Sequence, residues 1–235
     1  MINFIGIGAQ KSGTSWLYEN LKLHDNIRFP GGKEIHFWDQ HYARGIRWYL
    51  SLFEDIPGKV NGEITPAYAS IKQNLIRECF DLNPHLKIVY VIRSPIERAW
   101  SSALMALTRA EMTINEASDQ WFIDHFKSSG SLKRGDYEKC IENWCSVFPR
   151  KQLLIVRYEL ICQNPYEVLK TVCQHIGVDS YFFDSLDEGL LRNYVRKGPG
   201  YQIRQTLLDV LVELYQPKIE SLSRYLHEDL SDWRP

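Results

Sequence analysis

The sequence predicts one α/β domain over residues 1–235, with a central, mostly parallel sheet flanked by helices. Three observations carry that reading. Short apolar runs rich in β-branched residues, such as Ile2–Ile7 and Leu153–Tyr158, alternate with segments whose apolar residues recur at helical spacing. The run Lys87-Ile88-Val89-Tyr90-Val91-Ile92-Arg93 is almost continuously apolar, as a strand covered by helices on both faces must be. With 235 residues, 44% hydrophobic and 24% charged, the chain can bury a sizeable core. Repeated strand and helix alternation implies right-handed crossovers and therefore parallel pairing.

The first strand, Ile2–Ile7, runs into Gly8-Ala9-Gln10-Lys11-Ser12-Gly13-Thr14-Ser15-Trp16, and Leu17, Leu21 and Leu23 follow at helical spacing. This strand, loop and helix junction reads as a P-loop-like anion cradle. Gly8 and Gly13 let the backbone approach a ligand, Ser12, Thr14 and Ser15 offer hydroxyls and amides, and the positive helix end favours a phosphate or sulfate. The spacing excludes two relatives of such loops. A Walker A loop needs lysine directly after its second glycine, whereas Lys11 precedes Gly13 by two positions. Lys11 also stands where a dinucleotide fingerprint requires its third glycine.

After a turn at Phe29-Pro30-Gly31-Gly32 comes Lys33-Glu34-Ile35-His36-Phe37-Trp38, where charges and proton carriers up to Asp39 alternate with anchoring apolar side chains. Glu34 and His36, two residues apart in an extended segment, share a face and form a candidate wall of an active site. Trp48, Leu52 and Phe53 form a helical packing stripe, and Val60–Pro66 is a short strand ending at a turn. A helix from Ile71 to Phe80 closes at Asn83-Pro84. The strand Lys87–Arg93 then delivers Arg93 to its carboxyl end, where open α/β sheets bind ligands. Pro95 opens the next helix, which carries Ser101 about two turns in. Thr108–Gly135 has the least periodicity, and Ser128-Ser129-Gly130-Ser131 reads as a flexible loop. Tyr137–Phe148 is helical, Leu153–Tyr158 is a strand, and Pro165–Ile176 is helical. Arg196-Lys197-Gly198 sets two cations beside a glycine, and Ile203–His227 is a helix that Pro217 kinks or breaks.

A net charge of -1 and basic runs no longer than pairs argue against nucleic acid as a partner. Five cysteines without a C-x-x-C spacing read as reduced thiols, mostly in the core. No apolar run approaches the roughly 18 residues of a membrane span, and the first strand begins almost at Met1. The expectation is a cytoplasmic protein, or a domain of something larger. No clustered metal ligands are apparent.

Taken in order, Gln-Lys-Ser-Gly-Thr-Ser-Trp, Lys-Glu-x-His-Phe-Trp, Arg-Ser-Pro-x-x-Arg-x-x-Ser, Arg-Tyr-Glu-Leu and Arg-Lys-Gly resemble the sulfotransferases that use 3′-phosphoadenosine 5′-phosphosulfate (PAPS). The likeness is to the glycan and bacterial branch more than to the cytosolic phenol and steroid branch. It implies that Lys11, Ser12, Gly13, Thr14 and Ser15 hold the 5′-phosphosulfate and that Trp16 stacks on adenine. Arg93, Ser101, Arg196, Lys197 and Gly198 would hold the 3′-phosphate, and Tyr158 would contact adenine. Glu34 corresponds to the base of the glycan branch, and His36 is the alternative. The acceptor would be a hydroxyl or amine of a glycan or small molecule. Ile64 stands where the glycan branch often has lysine, which argues against a polyanionic, heparan-like acceptor. Trp38, Tyr42 and Tyr68 either line an acceptor pocket for a smaller or less charged molecule or pack the core; the sequence fits both equally. A non-catalytic PAPS-binding or nucleotide-binding module is the alternative: it would need Lys11 and Arg93 but no base.

Overall fold

A computed structural model describes residues 1–193 and 200–234. Its strands are β1 (Phe4–Gly8), β2 (Ile27–Arg28), β3 (Val60–Ile64), β4 (Lys87–Ile92) and β5 (Leu153–Arg157). Its helices are α1 (Thr14–Leu21), α2 (Ile46–Ser51), α3 (Gln73–Leu82), α4 (Pro95–Arg109), α5 (Asp119–Lys127), α6 (Ser129–Arg134), α7 (Tyr137–Cys145), α8 (Tyr158–Gln163), α9 (Pro165–Ile176), α10 (Glu188–Asn193) and α11 (Gln205–Leu226). Two compact units are distinguished: Met1–Ile92 together with the segment that begins at Glu142, and Arg93–Ile141 together with the C-terminal segment.

The first unit holds the whole sheet. Five parallel strands lie in the order β2-β3-β1-β4-β5, so the parallel pairing expected from the alternation is present throughout. Every residue of β1, and all but the first of β4, is buried, which is why these runs carry no polar alternation. On one face Phe4, Val89, Val91 and Val156 pack with Trp16, Leu17 and Leu21 of α1 and with Leu169, Val172 and Cys173 of α9. From β1 the chain first builds outward through β2 and β3, then crosses to β4 and β5 on the other side. The loop after β1 therefore leaves the sheet where the winding direction switches, the position at which open α/β sheets bind ligands.

In the second unit, Arg98 of α4 is wholly buried and donates to the carbonyl and hydroxyl oxygens of Ser131, each at 3.1 Å, and to the Tyr215 hydroxyl at 3.3 Å. One expectation fails here and another is met only in part of its range. The supposed flexible loop Ser128–Ser131 is the cap and first turn of α6. The Ser128 hydroxyl accepts from the Ser131 amide at 3.2 Å and caps α6, so the small polar residues serve a helix start and not a mobile turn. Pro217 also lies inside an unbroken α11, whose buried face of Leu207, Leu211, Tyr215, Ile219 and Leu222 outweighs the loss of one backbone bond. Among the cysteines, Cys79, Cys140 and Cys173 are buried and Cys162 is exposed; none is in a disulfide. Among the described residues no helix is long and apolar enough to cross a membrane.

Candidate functional site

The loop after β1 is tied to the sheet edge and then turned away from it. The Ala9 amide donates to the Val91 carbonyl at 2.5 Å, and Lys11 takes a left-handed backbone with φ 68°. Gly13 caps α1 at φ 91°, where a side chain would be strained, and a Cβ there would sit 2.9 Å from Tyr158 Cδ2. Tyr158, the first residue of α8 after β5, is thus packed directly against the glycine of the loop. Among the described residues no side chain caps α1, so the amides of its first turn have neither an intrahelical acceptor nor a capping oxygen there. The Ser12 hydroxyl is fully buried and has no hydrogen-bond partner among the described residues. Buried polar atoms are normally satisfied, so an orphan hydroxyl beside an uncapped helix start fits an anion with several acceptor oxygens.

Trp16 departs from its expected role. It is 1% exposed, lies in the core beneath α9, and donates its indole N–H to the Leu191 carbonyl at 2.7 Å. Its ring packs the interior and presents no face to a nucleotide base. Thr14 is buried and Ser15 half-buried.

The segment after the Pro30 turn is not the extended strand expected for it. Glu34 and His36 both adopt left-handed backbones, φ 63° and 56°, so that three of the five described non-glycine residues with positive φ are candidate site residues. Such conformations cost on the order of 1–3 kcal/mol each and persist where surrounding structure imposes them. They still bring the two side chains together: His36 Nε2 lies 3.5 Å from Glu34 Oε2. Glu34 is also paired with Lys33 and is exposed, and is therefore reachable by a second substrate. His36 Nδ1 lies 3.0 Å from each oxygen of Asp39. Donation from Nδ1 to this carboxylate turns Nε2 towards Glu34, giving an Asp39, His36, Glu34 array. The sequence shows Asp39 as a nearby charge, but a spacing of three residues reveals its grip on His36 only once the turn is known.

Beneath this array lies a carboxyl group that sequence reasoning missed. Glu63, near the carboxyl end of β3, has no exposed surface and accepts hydrogen bonds from the hydroxyls of Tyr49, of Thr65 at 3.0 Å and of Tyr68 at 3.2 Å. Burial pushes its carboxyl up to about 7, although the three hydroxyls pull the other way and Asp39 pushes up slightly. Burial likewise raises the Tyr49 and Tyr68 phenols, which remain donors. The Tyr68 hydroxyl accepts from the Phe37 amide at 2.8 Å and the Trp38 amide at 3.4 Å. Trp38 and Tyr68 are accordingly core residues, 2% and 0% exposed, and not the walls of an acceptor pocket. Tyr42 is exposed and bonded to Glu78.

Arg93 and Ser101 belong to the second unit. Arg93 forks onto Glu97, one helical turn along, with N–O distances of 2.7 and 2.8 Å, and Ser101 is half-buried on α4. Arg196, Lys197 and Gly198 lie outside the described residues.

A family model described as "Sulfotransferase domain" matches residues 3–197. Heparan sulfate glucosamine 3-O-sulfotransferase 6 of Mus musculus is 28% identical over 192 residues, covering 78% of this chain and 56% of the relative. Its Homo sapiens counterpart is 28% identical over 233 residues, covering 90% of this chain and 68% of the relative. The chain thus spans about half to two thirds of the length of these curated relatives. A solved sulfotransferase from Alicyclobacillus acidocaldarius superposes with TM-score 0.78 at 25% identity, covering 100% of this chain and 99% of that one. Mouse sulfotransferase SULT7A1, solved in complex with PAP, has TM-score 0.57 at 19% identity, covers 96% and 88% of the two chains, and shares the fold.

Proposed function

The chain belongs to the sulfotransferase domain family, and from that membership we propose that it transfers the sulfuryl group of PAPS to an acceptor hydroxyl or amine. A carbohydrate or small metabolite is the acceptor class that the curated relatives and the near-neutral net charge of -1 together favour. The observation that carries the reading is a juxtaposition at the carboxyl edge of the sheet. The uncapped start of α1 with its orphan Ser12 hydroxyl follows β1, and the Glu34 array is pinned to neighbouring β3 by the Glu34 amide on the Ile64 carbonyl at 3.0 Å.

When bound, PAPS supplies a sulfuryl group attached to a phosphate. Lys11, Ser12, Gly13, Thr14 and Ser15 would hold that end, with Tyr158 against Gly13 as the neighbouring aromatic surface. Arg93 and Ser101, with Arg196, Lys197 and Gly198, would hold the 3′-phosphate; each charge-assisted bond contributes about 1.5–3 kcal/mol. With PAPS bound, Lys11 and the first-turn amides would supply fixed positive charge to the leaving phosphate, which would stabilise the transition state more than the ground state. Glu34 takes the acceptor proton, and His36, oriented by Asp39, supports Glu34 through Nε2.

The test is Glu34→Gln, assayed with PAPS and a panel of glycans, lipids, phenols and peptides, with sulfonated product followed by mass spectrometry. PAP affinity should stay within about twofold while turnover falls about 10²-fold or more. Near-normal turnover would transfer the base role to His36. Tight PAP binding by the unmutated protein with no product from any class would leave a binding module.

A further inference from the structure

Among the described residues Glu63 is the only acidic side chain that is buried, and no cation pairs with it. A buried carboxylate is costly unless it is satisfied, and here three hydroxyls satisfy it. The consequence reaches the site through Tyr68. A phenol has one proton; given to Glu63 Oε2, it leaves the oxygen lone pairs for the amides of Phe37 and Trp38. The backbone between these amides and the Glu34 amide is therefore fastened at one end to the Ile64 carbonyl, the last of β3, and at the other to Tyr68 in the turn after it. Glu34 and His36, with their left-handed φ values, lie within that fastened span.

We propose that Glu63 is a positioning residue: it orients the Tyr68 hydroxyl, and through it the Phe37–Trp38 backbone that holds Glu34 and His36 in their paired geometry. The proposal rests on the sulfotransferase reading for its effect on turnover. The groups facing Glu63 are Tyr49 from α2, Thr65 and Tyr68 after β3, Asp39 from the site segment and Cys79 from α3, and none of them is a cation. A protonated Glu63 can donate to Tyr68 and reverse the polarity of that link, and its carboxyl, raised to about 7, makes the change accessible near neutral pH.

The experiment compares Glu63→Gln, Tyr68→Phe and the double variant for kcat, PAP Kd and the kcat–pH profile. It also follows amide hydrogen exchange at Phe37 and Trp38. PAP Kd should hold within about twofold and kcat should fall about 10- to 100-fold in each single variant. The double variant should be no slower than the slower single one, the inflection near pH 7 should vanish from the profile in Glu63→Gln, and both amides should exchange at least about tenfold faster. Losses that add in the double variant, or an unchanged pH profile in Glu63→Gln, overturn the proposal. If the unmutated chain makes no product, the sulfotransferase reading fails, and exchange still decides: unchanged rates at both amides overturn the positioning role, and faster rates uphold it.

Discussion

Replacing Glu63 by glutamine should change how stability depends on pH, and the direction follows from the burial of the carboxyl. Its ordinary value of 4.5 applies in the unfolded chain and about 7 in the folded one. Between those values the folded protein keeps a proton that the unfolded chain has released. Protonation therefore favours folding, and the stability it contributes is complete below 4.5 and lost as pH rises through 7. At about 1.4 kcal/mol per pH unit, this interval corresponds to about 3 kcal/mol. Glu63→Gln retains the shape and cannot titrate, so its stability relative to the unmutated protein should rise by about 3 kcal/mol between pH 4.5 and 7.5. For a chain of this size that is about 6–12 °C in the difference of melting temperatures. Scanning calorimetry of both proteins in half-unit pH steps reads it directly, and taking the difference cancels titrations common to both, such as the lowered values of the half-buried His125 and His175. A difference in Tm that stays constant over this range would refute the reasoning, because Glu63 would then ionise alike in both states.

Two further outcomes follow from the loop and its helix. Gly13→Ala places a methyl 2.9 Å from Tyr158 Cδ2 at φ 91°, and should lower stability by about 1–3 kcal/mol and weaken PAP binding at least about tenfold, as calorimetric titration would show. Trp16→Phe leaves the Leu191 carbonyl without its donor at 2.7 Å; it should cost about 1–3 kcal/mol in denaturant unfolding, with kcat nearly unchanged because the ring is interior.

How far the site could be foreseen depended on whether a residue's role is local. The junction of β1, its glycine-bearing loop and α1 was legible because its ingredients are contiguous: strand, glycines, hydroxyls, helix start. Pocket wall and core stayed open for Tyr68 and Trp38 because an aromatic's exposure is set by contacts between residues distant in sequence, here the Tyr68 hydroxyl with the Phe37 and Trp38 amides 31 and 30 residues away. Ser128 was misjudged because the same small polar residues favour turns and helix caps, and only the flanking helices choose between them. Glu34 and His36 were correctly expected to lie together, although for the wrong geometric reason: two left-handed residues, not a pleated strand, juxtapose them.

Periodicity along the chain determined the strand and helix alternation, the parallel sheet and the strand, loop and helix junction after β1, since hydrophobic pattern and glycine placement act within a few residues of themselves. Tertiary structure alone decided that Trp16 turns inward, that Asp39 grips His36, and that Glu63 sits uncharged-partnered beneath them. Each of these depends on burial and on hydrogen bonds closed through space, such as Trp16 to Leu191 across 175 residues. No local pattern encodes which polar atom will be left to find its partner in the interior.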